Sequence, residues 1–313
     1  MKRFLLKVLA LFLCCLLILF ALSPVYLMLL NTDYERDEDL TLKFKYVPES
    51  IDVAAFGSSH AGNGFQPPQY HDGTLFNFYM SMQTPVMDNR LYFHFRDHLA
   101  EHALVIIDLS YFSLYYNGSQ TINNFKRYCT FLQIRELPKL NAKLYRLFRV
   151  IDFNFNPVAS FLMGKTAELT PFHTTNTSER YSDEKLDAIG ADLAKTFVGY
   201  SGDQIVNQEI DRALRDMLED CIARGYRPVL VTTPYQSAFN RHIPDDFLAT
   251  FRADCARYAQ DYAIPYMDYS HDERFANARS YFVDTDHLTS EGSAAFMQIF
   301  FQDLKQYDPD KSN

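Results

Sequence analysis

The chain has 313 residues, of which 48% are hydrophobic and 22% charged, and a formal net charge of −9. That apolar share excludes a disordered chain and allows one large domain with a buried core. The acidic balance, with no basic run beyond the first few residues, excludes the electrostatic footprint of a nucleic-acid binder.

Met1-Lys2-Arg3 precedes an apolar run from Phe4 to Leu30, broken only by Lys7 and Ser23-Pro24, and an acidic stretch follows from Asn31 to Asp39. The run is long enough to cross a bilayer as a helix. Positive charge before it and acid after it predict a cytoplasmic N-terminus and an outer domain beyond the cell membrane. Ala21-Leu22-Ser23 has the small-x-small form of a signal-peptide cleavage site, but Pro24 would follow the cut and the run continues to Leu30. An uncleaved, single-pass anchor over residues 1–32, held in lipid through residues 4–30, is the favoured reading. Residues 33–50 read as a charged spacer with a short strand at Leu42–Tyr46, and 308–313 as a polar tail.

Between these lies the domain at 51–307. Ile51–Phe56 is an apolar run ending in Gly57-Ser58-Ser59-His60, the pattern of a buried parallel strand meeting a tight turn and a helix start. Thr74–Tyr79 predicts a second strand. Val86–His102 predicts a helix, with Leu91, Phe95 and Leu99 on one face, and Leu104–Leu109 a third strand. An aromatic- and Asn-rich insertion at about 113–202 follows, with helical patches at Lys139–Val150 and Asp183–Thr196. A connection this long between core strands is usually functional, so a lid or substrate-shaping layer is expected. Helices are then predicted at Gln204–Arg224, Asp246–Tyr262 and Ser290–Leu304, with strands at Pro228–Thr233 and Ile264–Asp268. Strands alternating with helices predict a three-layer α/β/α domain on a mostly parallel, flavodoxin-like five-stranded sheet.

In such sheets ligands bind at the carboxyl ends of the strands, which is where Ser59 falls. Near the other end of the chain, Asp284 and His287 lie three apart in Val283-Asp284-Thr285-Asp286-His287, just before the terminal helix. A turn there lets the carboxylate hold one ring nitrogen while the other faces outward as a base. Taken singly, Ser59 is equally a helix cap and His287 a structural histidine. Asp286 rivals Asp284, although its side chain is expected to face solvent. His60 is expected to line the pocket.

The block Gly57-Ser58-Ser59 after the first strand, with Asp284-x-x-His287 before the last helix, resembles the SGNH/GDSL hydrolase superfamily. The membrane anchor and Phe282-x-Asp284-x-x-His287-Leu288 resemble two of its branches, the teichoic-acid D-alanylation proteins and the alginate-type O-acetylation proteins. The resemblance implies Ser59 as nucleophile, with Asp284 and His287 completing its triad. The family's second-block Gly has no counterpart in 77–83, nor its third-block Asn in 107–110. Ser81, Ser110 and Asn207 are the replacements considered for the oxyanion pocket. The function implied is an extracytoplasmic serine esterase or O-acyltransferase working through an acyl-serine. Its partners would be an acyl donor and a carbohydrate acceptor of the envelope or an exported polysaccharide, with a membrane-bound acyltransferase as a possible supplier. The competing reading is a non-catalytic glycan-binding or scaffold protein with the same fold.

No cofactor or metal is called for by any motif. His94 and His98, four apart, read as a solvated helix face. Cys129, Cys221 and Cys255 are dispersed, with no C-x-x-C pair. Asn117-Gly118-Ser119 and Asn176-Thr177-Ser178 match glycosylation sequons. Tyr111, Phe112, Tyr115 and Tyr116 serve either as sugar-stacking rings or as core.

Overall fold

A computed structural model describes residues 1–30, 41–116, 127–129, 131–137, 140–152, 162–164 and 177–307. The acidic stretch after the apolar run, both sequon asparagines and the polar tail lie outside the described residues.

Five strands form one all-parallel sheet: β1 (Ile51–Phe56), β2 (Leu75–Asn77), β3 (Leu99–Asp108), β4 (Arg227–Thr232) and β5 (Tyr266–Asp268), in the order β2-β1-β3-β4-β5. This is the flavodoxin-like order, in which the winding reverses between β1 and β3 and opens a crevice at their carboxyl ends. The strands are nearly continuous apolar runs because helices cover both faces. On one face Val53, Ala55, Leu104, Ile106, Val229 and Val231 pack against Phe296 and Phe300 of the terminal helix. On the other lie α3 (Pro85–Phe95) and α6 (Gln208–Ala223), joined where Asn89 Nδ2 donates to the Ala213 carbonyl at 2.8 Å. Leu214, Met217, Leu218 and Cys221 supply the buried stripe of α6. The three outer cysteines are buried free thiols.

Two local expectations are corrected. The helix predicted to run to His102 stops at Phe95, passes through a 3₁₀ turn at Arg96–His98, and gives way to β3 at Leu99. Leu91, Phe95 and Leu99 do share a helical spacing, but Leu99 is buried by pairing with Ile51, across a register shift between Ile51 and Val53. Sheet pairing has overridden local periodicity. The strand expected at Leu42–Tyr46 is a 3₁₀ helix, Leu42–Lys45.

The chain forms two compact units, one of residues 1–47 with 120–171 and one of 48–119 with 172–313. The first contains α1 (Lys2–Leu30), whose stretch Lys2–Met28 holds an 18-residue window of mean hydropathy 3.0 and is long and apolar enough to cross a membrane. Helix α4 (Leu140–Leu147) and a 3₁₀ turn at Arg149–Asp152 belong to the same unit. Ser23 Oγ donates to the Leu19 carbonyl and accepts from the Val150 N–H at 3.3 Å, and the Arg149 guanidinium lies over the Tyr26 and Tyr145 rings. The second unit holds the sheet and α5 (Asp183–Ser201). Helix α5 packs on the short α7 (Ser237–Asn240) at Gly190, where a Cβ would lie 2.0 Å from the Ala238 carbonyl oxygen. Helix α8 (Asp245–Tyr262), the short α9 (Glu273–Ala276) and α10 (Ser290–Leu304) complete the second unit.

Asp88, in the first turn of α3, is fully buried, with Gln83 Nε2 donating to it at 2.6 Å. Burial, aided by nearby Asp108, pushes its carboxyl up to about 8 in spite of that hydrogen bond. The folded chain therefore keeps a proton that the unfolded chain loses near pH 4, and stability falls as pH rises through this window. The slope from this group is at most ~1.4 kcal/mol per pH unit. Asp88→Asn keeps the amide partner and removes the titration. Urea denaturation at pH 5 and pH 8 is expected to show a smaller loss of stability in Asp88→Asn than in the wild type.

Candidate active site

The end of β1 sets the site. Gly57 follows Phe56 with φ +137°, and a Cβ there would lie 2.8 Å from the Asp108 Cβ at the end of neighbouring β3. Only glycine accepts both the conformation and the contact. Helix α2 (Ser59–Gly64) begins at once, and Ser58 is its cap, its hydroxyl accepting from the His60 N–H. Because Ser58 takes the capping role, the Ser59 hydroxyl is left to meet another chain segment. Asn77, at the end of β2, ties α2 down: its Nδ2 donates to the Ala61 and Phe65 carbonyls at 2.7 and 2.8 Å, and its Oδ1 accepts from the Tyr79 N–H.

That other segment is the loop before α10. It is pinched by an antiparallel bridge between Phe282 and Leu288 and by the Val283 N–H donating to the His287 carbonyl at 2.8 Å. Thr289 caps α10 by accepting from the Gly292 N–H. Inside the loop, Asp284 Oδ1 accepts from the backbone N–H groups of Asp286 and His287 at 3.2 and 2.9 Å. This Asx-type turn is why a spacing of three brings carboxylate and ring together. Asp284 lies 3.0 and 3.1 Å from His287 Nδ1, and His287 Nε2 lies 2.9 Å from Ser59 Oγ. The structure thus brings Ser59, His287 and Asp284 into one hydrogen-bonded line.

Two neighbours depart from expectation. Asp286 does not face solvent; its side chain is 4% exposed, with Oδ2 2.8 Å from His60 Nε2 and Oδ1 3.2 Å from His287 Nδ1. The loop turns it inward because His60 waits there as a partner. His60 is buried rather than lining an open pocket, and its ring stacks on that of His287 at 5.2 Å between centroids. Burial disfavours the charged form of His287, but Asp286 and Asp284 outweigh it and raise the imidazole well above its usual range. Burial likewise opposes ionisation of Asp286, yet His287 and His60 hold its carboxyl well below the usual carboxylate range.

His60, Asp286 and His287 offer ligand atoms within 4.8 Å of one another. Within the cluster, His60 Nε2 is hydrogen-bonded to Asp286 Oδ2 and Asp286 Oδ1 makes an ion-pair contact with His287 Nδ1.

The residues considered for the oxyanion pocket separate. Ser81 is half-buried in the turn after β2, at the carboxyl edge of the sheet. Ser110 is corrected: its N–H donates to Ser113 Oγ at 2.9 Å, and its hydroxyl lies 2.6 Å from His60 Nδ1 and donates to Asp108 Oδ2 at 3.2 Å. It supports His60 instead of facing a substrate. Asn207 is also corrected: its Oδ1 caps α6 by accepting from the Glu209 and Ile210 N–H groups. Of the aromatic set, Tyr111, Phe112 and Tyr115 are buried core residues, and Tyr116 stacks on Tyr200. The residues that sequence reasoning passed over are Asn77 and Asp108, both polar and both at a strand end, a position that could have flagged them.

No protein-family model matches the chain, and no curated protein matches it. Among solved structures, it is similar to a candidate acylhydrolase from Bacteroides fragilis NCTC 9343, at 14% identity over 84% of this chain and 92% of that one, with a TM-score of 0.38. It is also similar to a GDSL-like lipase from Bacteroides thetaiotaomicron VPI-5482, at 12% identity over 86% of this chain and 99% of that one, with a TM-score of 0.39. Likeness at this level bears on neither substrate nor reaction.

Gly57→Ala tests the turn. The left-handed strain and the clash with Asp108 together are expected to cost about 1–3 kcal/mol, read as a lowered midpoint in thermal unfolding.

Proposed function

We propose that the chain is a membrane-anchored serine hydrolase or O-acyltransferase of the SGNH type. The observation that carries this reading is the line Ser59 Oγ–His287 Nε2, 2.9 Å, with the Asp284 carboxylate on His287 Nδ1. A nucleophile, a base and a group orienting the base meet within hydrogen-bond reach.

In the proposed reaction Ser59 Oγ attacks the acyl carbonyl carbon as its proton passes to His287 Nε2. Asp284 stabilises the imidazolium that forms. The tetrahedral intermediate collapses, and the leaving alkoxide takes the proton from His287, which leaves the acyl group on Ser59. Water or a sugar hydroxyl then attacks the acyl-serine, giving its proton to His287, and Ser59 departs by recovering that proton. The Ser59 N–H heads α2 and has no acceptor within its own helix, so it is aimed to receive the oxyanion. The turn that holds Ser81 is the source proposed for a second donor.

Helix α1 supports the anchor, and the charges flanking it support an extracytoplasmic catalytic unit. The resemblance to teichoic-acid and alginate acylation proteins supports a cell-envelope or exported polysaccharide as acceptor, with the acyl group supplied by a membrane-bound acyltransferase.

Detergent-solubilised full chain should hydrolyse p-nitrophenyl acetate and bind a fluorophosphonate probe covalently. Ser59→Ala is expected to abolish labelling and lower kcat by ~10³-fold or more. A folded wild type that neither labels nor hydrolyses would leave the glycan-binding scaffold as the reading. Because His287 acts only when neutral and its pKa is raised, kcat/KM is expected to fall as pH drops through a value above the ordinary ~6.5 of histidine. A pH–rate profile locates that acid limb.

A further inference from the structure

The proposed reaction uses one carboxylate and one imidazole and leaves a second of each, deeper in the protein, without a role. The Asp286 side chain is 4% exposed against 31% for Asp284. An isolated carboxylate at that depth is strongly disfavoured, so its partners are informative. Asp286 has an imidazole on each oxygen: His60 Nε2 at 2.8 Å from Oδ2 and His287 Nδ1 at 3.2 Å from Oδ1.

His60 is in turn held from its far side. Its Nδ1 lies 2.6 Å from Ser110 Oγ, and Ser110 donates its single hydroxyl hydrogen to Asp108 Oδ2. The His60 ring is thereby held at both nitrogens, by Ser110 on one side and by Asp286 on the other. Ser58 Oγ, 3.0 Å from Ser110 Oγ, closes the arrangement. A side-chain chain results: Asp108, Ser110, His60, Asp286, His287, Ser59. It begins at the end of β3, crosses α2 and reaches the loop before α10. Elements from three parts of the sequence are needed to build it, and each link is a polar contact between buried or half-buried groups.

Resting on the reading of Ser59 and His287 as nucleophile and base, we propose that Asp286 and His60 are a positioning pair for His287. His60 clamps the buried carboxylate, and that carboxylate shares with Asp284 the hold on His287 Nδ1–H. His287 is thus oriented by two carboxylates of different character. Asp284 is partly solvated and is fixed by backbone N–H groups; Asp286 is enclosed and fixed by another imidazole. Charge–charge attraction is stronger where water is excluded, so the enclosed carboxylate dominates the charge felt by the ring. The directions of the Asp286 and His287 shifts agree with this.

The groups facing the pair can be named from each side. Helix α2 supplies Ser59 and His60, and the loop before α10 supplies Asp284 and Asp286. The end of β3 supplies Asp108 through Ser110. The segment after β4 supplies Tyr235, with its ring 5.1 Å from that of His60, and α5 covers His60 with the apolar Phe197 at 5.9 Å. Asp286 is the carboxylate that contacts both imidazoles.

The test uses the full chain in detergent, labelled with ¹⁵N in its histidine rings, the His287 signals being assigned by their loss in His287→Gln. In Asp286→Asn the His287 titration midpoint is expected to fall by about 1 pH unit or more, and the acid limb of kcat/KM on p-nitrophenyl acetate to move down with it. Asp284→Asn and Asp286→Asn are each expected to keep activity above the Ser59→Ala level, and the double variant to fall to it. An unmoved His287 midpoint in folded Asp286→Asn overturns the proposal. Should Asp286→Asn fail to fold, His60→Gln, which keeps a donor for Asp286, is compared with His60→Phe, which removes it. Activity and midpoint retained in His60→Gln and lost in His60→Phe support the clamp, and equal loss in both overturns it. Wild-type activity in Ser59→Ala would reject the nucleophile reading, while the midpoint shift would still decide the role of Asp286.

Discussion

At Gly57 the backbone leaving β1 passes so close to the end of β3 that a single added methyl would meet Asp108. This contact sets the geometry of the site. It forces the left-handed turn, after which Ser58 caps α2 and the helix starts two residues on, at Ser59. The cap and the Asn77 ties then hold the Ser59 hydroxyl in the crevice where the sheet reverses its winding. A parallel sheet with this strand order opens at one edge only, so the loop before α10 arrives at the same place because it too leaves the carboxyl side.

The second constraint is electrical. Five polar side chains, Asp108, Ser110, His60, Asp286 and Ser58, lie buried behind the Ser59–His287 pair. Buried polar groups persist when each is hydrogen-bonded, and a half-satisfied network is worse than an apolar core. Here the carboxylates and imidazoles alternate, so each ring sits beside a carboxylate that favours its donor role. The same alternation raises the basicity of His287, which joins the buried cluster to the Ser59–His287 pair at its outer end. The aromatic rings around it, Tyr111, Phe112, Phe197, Tyr235 and Phe239, form an edge-to-face packed shell. Such a shell excludes water and keeps the network's dielectric low. Residues that composition left open between sugar contact and core are therefore part of what keeps the site dry.

The region read as one insertion divides between two compact units. Helix α5 is built into the unit that holds the sheet through Gly190 and Phe197, whereas 120–171 belongs with the apolar N-terminal helix. Helical patches were legible at both places from their periodicity. Which unit each joins depends on contacts between residues far apart in sequence, here Gly190 with the 238–239 backbone and Val150 with Ser23.

By itself the sequence determined the apolar N-terminal helix, the five strands, the place of Ser59 at a strand end and the spacing of Asp284 and His287 before the last helix, because each is a short-range pattern. Strand runs, turn glycines and a spacing of three before a helix are read within a dozen residues. The tertiary structure alone decided the rest. Leu99 is a strand residue because Ile51 pairs with it. Ser110 and Asn207 are taken from the oxyanion pocket because Ser113, His60 and the start of α6 engage them. Asp286 turns inward because His60, 226 positions away, stands where its charge can be met. Burial and pairing are properties of the assembled chain, and no local pattern of residue types encodes which carboxylate will find an imidazole.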